Sequence, residues 1–383
     1  MTYDFVVFGA TGQQGRIVSK DLLYNGYSVL LCGRDQGKIS HLLKDFKKSK
    51  FQYVDLREKN NVVETMKNSG ASTSVNCAEG DYNLSTMEAA YDAGLHYLDL
   101  GSDEPMTVDQ FALHDKFKAK GLTAITGCGS TPGVVNVMAR HVAEQFDTIH
   151  TLDVGFAWNS NMPVFIVPFS VESITEEFTE QANMLEDGKF THRPARSNDR
   201  EFDYMEIGKQ RTYYTRHPEP ITFHHYYSPK GLKNARVYSS FPDHSRNVLE
   251  MFISLGLDSE IPIKVDDAEV RPVKVLTQVL KRIQMPDGYL EKEDLWMHML
   301  GTKNGKPHEI KMDCIAATLK GWEDATCNVD TGMPCSIMAQ FVKNGVASER
   351  GVFGPEAIIP PKPFFAELAK RQMRVYLNGE KIN

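Results

Sequence analysis

Near the start of the chain, glycines recur at three-residue intervals in Gly9-Ala10-Thr11-Gly12-Gln13-Gln14-Gly15. Glycine at this spacing lets backbone approach a pyrophosphate, whose charge then rests on the free N–H groups of the next helix. The apolar run Phe5 to Phe8 precedes the loop as a buried strand, and Ile17, Val18, Leu22 and Leu23 follow as a helix face. That context turns a weak pattern into a dinucleotide site. A second apolar run, Ser28 to Cys32, ends in Gly33-Arg34-Asp35. An NAD site usually puts a carboxylate at that strand end for the ribose 2′-hydroxyl. Here Arg34 offers a fork suited to a 2′-phosphate, so NADP (NADPH) is the expected coenzyme and NAD the alternative. Asp35 reads as the N-cap of the next helix.

Another turn, Gly127-Cys128-Gly129-Ser130-Thr131-Pro132-Gly133, opens a helix with Val134, Val137, Met138 and Val142 on its apolar face. Ser130 or Thr131 would cap this helix, Pro132 would enter its first turn, and its N-terminus would receive a substrate carboxylate. His141 lies in the apolar stripe and reads as a core residue. The densest polar set lies further on, in Arg216-His217…Glu219 and His224-His225-Tyr226-Tyr227…Lys230. Histidine exchanges protons near neutrality, and arginine and lysine hold carboxylates.

Positioning these groups requires an ordered frame. Strands at Phe51 to Val54, Ser72 to Ala78, Tyr97 to Leu100 and Leu122 to Thr126 alternate with helices, including Leu84 to Ala93 and Val108 to Lys120. Such alternation implies βαβ units and a parallel sheet, with ligands beyond the carboxyl ends of its strands. Asn76-Cys77-Ala78, Leu100-Gly101-Ser102 and Gly127 to Ser130 should therefore flank the nicotinamide. After Phe146 the pattern changes to longer strands, among them Thr151 to Trp158, Arg211 to Tyr214, Ala235 to Phe241, Leu295 to Thr302 and Glu309 to Thr318. Lys303-Asn304-Gly305-Lys306 joins the last two as a hairpin. A helix over Ser173 to Leu185, with a Ser173…Glu176 capping box, and helices near Arg246 to Leu255 and Pro272 to Ile283 interrupt them. The fold class is α/β: a Rossmann domain (1–130), an inserted α+β domain on a mostly antiparallel sheet (131–325), and a segment (326–383) returning to the first domain.

Composition narrows the partners. With 43 basic and 50 acidic residues the net charge is −7, with no basic block for nucleic acid. No run approaches the roughly 18 apolar residues of a membrane helix, and the chain enters its first strand without a signal peptide. Six cysteines show no CxxC and no histidine pairing, so neither a metal site nor a disulfide framework is expected, and reduced thiols fit a cytoplasmic protein.

Several motifs together resemble the saccharopine dehydrogenase family: the glycine loop, Asn76-Cys77-Ala78-Glu79-Gly80-Asp81-Tyr82-Asn83, Ala93 to Gly101, Gly129 to Asn136, Asp330-Thr331-Gly332-Met333-Pro334, and Pro355 to Phe365. The family includes saccharopine reductases, lysine 6-dehydrogenases and carboxynorspermidine synthases, which exchange hydride between NAD(P) and a C–N bond of an amino-acid-derived substrate. The resemblance implies a Rossmann domain completed by the C-terminal segment, an inserted domain for substrate and dimerisation, a homodimer, and saccharopine or lysine as substrate. Fungal saccharopine reductases carry a tyrosine and an aspartate where this chain has Ser102 and Thr131.

Reducing an imine requires a hydride, a proton donor near nitrogen, and cations for the substrate carboxylates. Expected roles follow: Asp103, His217 and His225 as catalytic proton-transfer candidates, Ser130, Thr131, Arg216 and Lys230 for substrate. Coenzyme would contact Gly9, Ala10, Thr11, Gly12, Gln13, Gln14, Gly15, Arg34, Asn76, Cys77, Ala78 and Gly101. Desolvation on closure would lower the pKa of a buried histidine and leave it competent as a base near neutrality. Two rival readings remain. Tyr226…Lys230 matches the Tyr-x-x-x-Lys of short-chain dehydrogenases, although Pro229 opposes a regular helix there. A non-catalytic NADP-binding regulator would keep only the nucleotide site. Arg34→Ala should weaken NADP by about tenfold to a hundredfold, the value of one charge-assisted contact, and NAD far less. Calorimetric affinities that fall equally for both coenzymes would remove Arg34 from the 2′-phosphate.

Overall fold

Alternating apolar strands and amphipathic helices close into one parallel sheet in the computed structural model, which describes residues 2–167 and 170–383. Strands β1 (Phe5–Phe8), β2 (Val29–Gly33), β3 (Ser49–Tyr53), β4 (Thr73–Asn76), β5 (His96–Asp99) and β6 (Thr123–Ile125) lie in the order β3-β2-β1-β4-β5-β6. Gly351–Phe353 adds a seventh parallel strand beside β6, with Val352 opposite Ala124. Strand order reverses between β1 and β4, which opens a crevice at their carboxyl ends. β1 is buried on both faces, as a central parallel strand should be. Phe5 and Val7 pack toward the first helix, α1 (Gln13–Tyr24), whereas Val6 and Phe8 pack toward Met66, Met87 and Tyr97.

The second sheet is built on three long strands, Thr148–Ser160, Glu291–Lys303 and Lys306–Ala317. Neighbours are antiparallel except Asn234–Ser240, which runs parallel to Thr148–Ser160. Asn304 and Gly305 both adopt positive φ, 50° and 72°, in the tight turn expected between the last two long strands. Alternation sends Leu295, Met297 and Met299 into the core shared with the Rossmann domain and Trp296 to the opposite face, beside Tyr204 and Tyr238. The C-terminal segment serves both sheets, because Arg374–Leu377 pairs with Lys306–Ala317.

Three local expectations are corrected. The helix after Thr126 starts at Val134, with Gly133 as N-cap and the Asn136 side chain accepting the Gly133 N–H at 2.8 Å. Ser130 and Thr131 lie before it, and the Thr131–Pro132 peptide is cis. The stretch 173–185 is a helix only over Val171–Thr179, capped by Ser170, and Ala182–Glu186 is a strand. Finally, the span 108–120 divides into helices Glu104–Phe111 and His114–Ala119.

A buried ion pair holds the chain's end to its beginning. Asp21 on α1 receives Arg371 in a two-pronged contact, Nε–Oδ1 at 2.9 Å and Nη2–Oδ2 at 2.7 Å. Ser336 Oγ adds a bond to Asp21 Oδ2 at 2.6 Å from the helix Val329–Lys343. Both charged side chains are under a tenth exposed. Arg371 would keep Glu367, 2.9 Å from its Nη1, so Asp21→Ala should cost about 1.5–3 kcal/mol, the value of hydrogen bonds to a charged group. Urea unfolding checks this, and a cost below about 1 kcal/mol, surface-pair size, would refute it.

Candidate active site

The coenzyme end is built by close backbone approach. Helix α1 begins directly after Gly12, whose position supplies no side-chain cap, so its first N–H groups stay free. A Cβ on Gly15 would lie 2.1 Å from the Gly9 carbonyl oxygen, which shows how tightly helix and strand meet. Position 33 is constrained too. A Cβ there would lie 2.7 Å from both Thr11 Oγ1 and Cγ2, so a carboxylate side chain at this strand end would require Thr11 to move. The nearby acids are engaged: Asp35 accepts the Gly37 N–H at 3.0 Å, and Asp55 pairs with Arg57, whose Nε lies 2.9 Å from Oδ1. Arg34 is exposed at the rim. These residues fit an NADP adenosine end. Asn76 differs from expectation, because its amide bonds Asn83 Oδ1 at 2.8 Å and its Oδ1 accepts the Ala78 N–H. Its side chain is thus spent inside the turn, leaving Cys77 and Ala78 backbone at the crevice.

At the other end, Pro132 packs onto Gly101, where a Cβ would lie 2.7 Å from Pro132 Cγ. Ser130 Oγ lies 3.0 Å from Thr331 Oγ1, and Gln14 Nε2 donates to Asn328 Oδ1 at 3.0 Å. The helix Val329–Lys343 therefore starts between the coenzyme loop and the Ser130 turn. Next to Thr331 lies Asp330, beside Glu293 and Glu291 of the second sheet. Cys327 Sγ lies 3.1 Å from Glu291 Oε2 and 3.2 Å from Glu293 Oε2. Burial pushes Glu293 and Asp330 above the usual carboxylate range. Among the described residues no basic side chain forms an ion pair with these three acids, and buried Asp330 Oδ2 has no hydrogen-bond partner. The sequence reading missed this cluster, since its members come together only when the second sheet meets the C-terminal helix.

The polar set around residues 216–230 does not gather at one point. Asp103 caps helix Glu104–Phe111, and its Oδ2 meets Arg216 Nη2 at 3.1 Å. Glu104 and Glu180 lie 3.6 and 3.7 Å from the same guanidinium, so Arg216 joins the two domains. His217 is held between Glu219 at 3.3 Å and Glu177 at 3.8 Å. Burial alone would lower its pKa, but Glu219 and Glu177 outweigh burial and raise it to about 10. It is a charged structural imidazolium, not a shuttle near neutrality. His225 lies on helix Glu219–Tyr227, exposed and edge-on to Phe111, at the opposite end of the helix that Asp103 caps. Lys230 Nζ donates to the Ala143 and Phe146 carbonyls at 2.7 and 3.3 Å, closing the helix Val134–Ala143. The Tyr226/Lys230 pair fails as well: the helix ends at Tyr227, and Tyr226 Oη accepts the Gly354 N–H at 3.1 Å.

Comparison with known proteins agrees with this architecture. Residues 5–125 match the saccharopine dehydrogenase NADP-binding domain and residues 129–373 the saccharopine dehydrogenase C-terminal domain. The chain belongs to the saccharopine dehydrogenase family. Carboxyaminopropylagmatine dehydrogenase of Synechocystis sp. is 26% identical over 380 residues, 95% of each chain. Carboxynorspermidine synthase of Vibrio alginolyticus is 26% identical over 346 residues, 85% of this chain and 82% of the relative. The apo saccharopine dehydrogenase (L-Glu forming) of Saccharomyces cerevisiae superposes with a TM-score of 0.76 over all of both chains at 12% identity, a likeness of fold.

Membership in this NADP-binding oxidoreductase family fixes the coenzyme class and leaves the polar contacts to be read from this chain. His217 makes one of them measurable. Its pKa is raised on folding, so its stabilising effect is complete below the unfolded value of about 6.5 and is lost as pH rises through about 10. The stability gap between the protein and His217→Gln, from urea midpoints, should shrink steadily from pH 7 to pH 10. A gap independent of pH would show that the imidazole is not held charged.

Proposed function

We propose that this protein is an NADP-dependent oxidoreductase acting on the C–N bond of a carboxylated polyamine, an amino-acid unit joined to a cationic amine chain. The observation carrying this reading is the acid cluster Glu291, Glu293 and Asp330, adjoining the Ser130–Thr331 contact and paired with no basic side chain among the described residues. Glu293 and Asp330, without a counter-ion, keep a proton or take up a cation. An organic ammonium supplies the missing charge, and Glu293, which keeps some solvent contact, would meet it first. The names of the two relatives point to the same substrate class. Saccharopine and lysine, expected from the sequence, present the same amino-acid end with less positive charge.

Bound NADPH supplies hydride. In the reductive direction the imine carbon takes that hydride and the nitrogen takes a proton, leaving a secondary amine and NADP. The Glu293–Asp330 pair holds a proton near neutrality and is the proton source best placed for this step, in place of Asp103, His217 and His225. In this reading the protein is a cytoplasmic homodimer, in keeping with six reduced, buried thiols.

Turnover should appear when carboxylated polyamines are offered with NADP, or their amine and semialdehyde precursors with NADPH. Glu293→Gln should raise KM for the amine substrate about tenfold or more, the value of one charge-assisted bond, and leave NADPH affinity intact. Turnover of saccharopine alone in a coenzyme-absorbance screen would exclude the polyamine assignment.

A further inference from the structure

Beyond Arg34, a second cation faces the rim of the adenosine end. Helix α1 turns by about 100° per residue, so its neighbours place each side chain. Gln14, Ile17 and Asp21 face the helix Val329–Lys343: Gln14 bonds Asn328, Ile17 lies against Gly332, and Asp21 accepts the Ser336 hydroxyl. Gly15 faces β1. Val329–Lys343 covers β4 and β5, and on the flank that carries Arg16 the next residue along, Lys20, reaches the Gly321 carbonyl at 2.6 Å and lies over Trp322. Arg16 Nη1 lies 3.5 Å from the Thr11 carbonyl oxygen. Thr11 in turn lies on Gly33, the residue before Arg34.

Arg16 thus reaches the backbone of Thr11, whose side chain adjoins Gly33, and Arg34 is the residue after Gly33. Among the described residues neither guanidinium forms an ion pair with a carboxylate. The nearest acids are taken, Asp35 by the Gly37 N–H and Asp55 by Arg57. Guanidinium groups outside any ion pair attract anions, and their forks match phosphate oxygens. We infer that Arg16 is a second anchor of the coenzyme's 2′-phosphate, closing on it from the first helix while Arg34 closes from the strand end. This inference rests on NADP as coenzyme and on the Arg34 reading. It assigns coenzyme preference in part to a residue just after the glycine loop, outside the strand end where such preference is usually sought.

The test is calorimetric titration of the full chain with 2′,5′-ADP and 5′-AMP, probes that differ only by the 2′-phosphate. The unaltered protein should bind 2′,5′-ADP more tightly. Arg16→Ala should lose about tenfold or more for 2′,5′-ADP, hold 5′-AMP within about twofold, and melt at an unchanged temperature. Arg16→Lys, which keeps the charge and loses the fork, should recover part of the loss. Equal weakening of both probes would place Arg16 at a shared phosphate or in the helix's own stability, and no weakening would remove it from the site. Either result overturns the inference. If Arg34→Ala is selective and Arg16→Ala is not, the second anchor falls and the NADP reading stands. If the unaltered protein binds the two probes alike, the Arg34 reading falls with it.

Discussion

A carboxylate on the first helix and a guanidinium near the chain's end meet almost without water, and the coenzyme crevice depends on that meeting. Asp21 and Arg371 draw α1 against the helix Val329–Lys343, with Ser336 completing the contact. The N-terminus of that second helix carries Asn328, Asp330 and Thr331, which touch Gln14, Glu293 and Ser130. The same packing that holds the domain together therefore sets the distance between coenzyme loop and substrate turn. A nucleotide fold lacking its C-terminal segment would keep the glycine loop and lose the other wall.

Electrostatics in the interior follow a consistent division. Where opposite charges share a buried space, as in His217 with Glu219 and Glu177, the ionised forms are held and the group becomes structural. Where like charges share it, as in Glu293 with Asp330, protons are retained and the group stays open to chemistry. Arg216, partly exposed, is likewise ringed by Asp103, Glu104 and Glu180. Side chains that look reactive in isolation are thus the satisfied ones here.

The nucleotide half was legible in the sequence because its signals are local. A buried strand, glycines at fixed spacing and an amphipathic helix each declare themselves within a few residues, and the hairpin at Asn304-Gly305 did the same. What escaped was pairing across the chain. Lys230 reads as a free cation until the carbonyls of Ala143 and Phe146 are placed beside it. His217 reads as a proton shuttle until Glu177 arrives from another helix. The cap at Ser130 failed for a nearer reason: Asn136 reaches back to Gly133 and does the capping from inside the helix. Ser173 failed similarly, because Ser170 had already started that helix.

The contact between Thr11 and Gly33 bears on how coenzyme use changes over time. Acquiring an acidic residue at position 33 is the simplest route from NADP to NAD, yet its first carbon would collide with Thr11. A side chain at 33 therefore requires Thr11 to turn aside or to shrink. Packing as well as charge weighs on coenzyme choice here, and a laboratory switch would begin by making room at position 11.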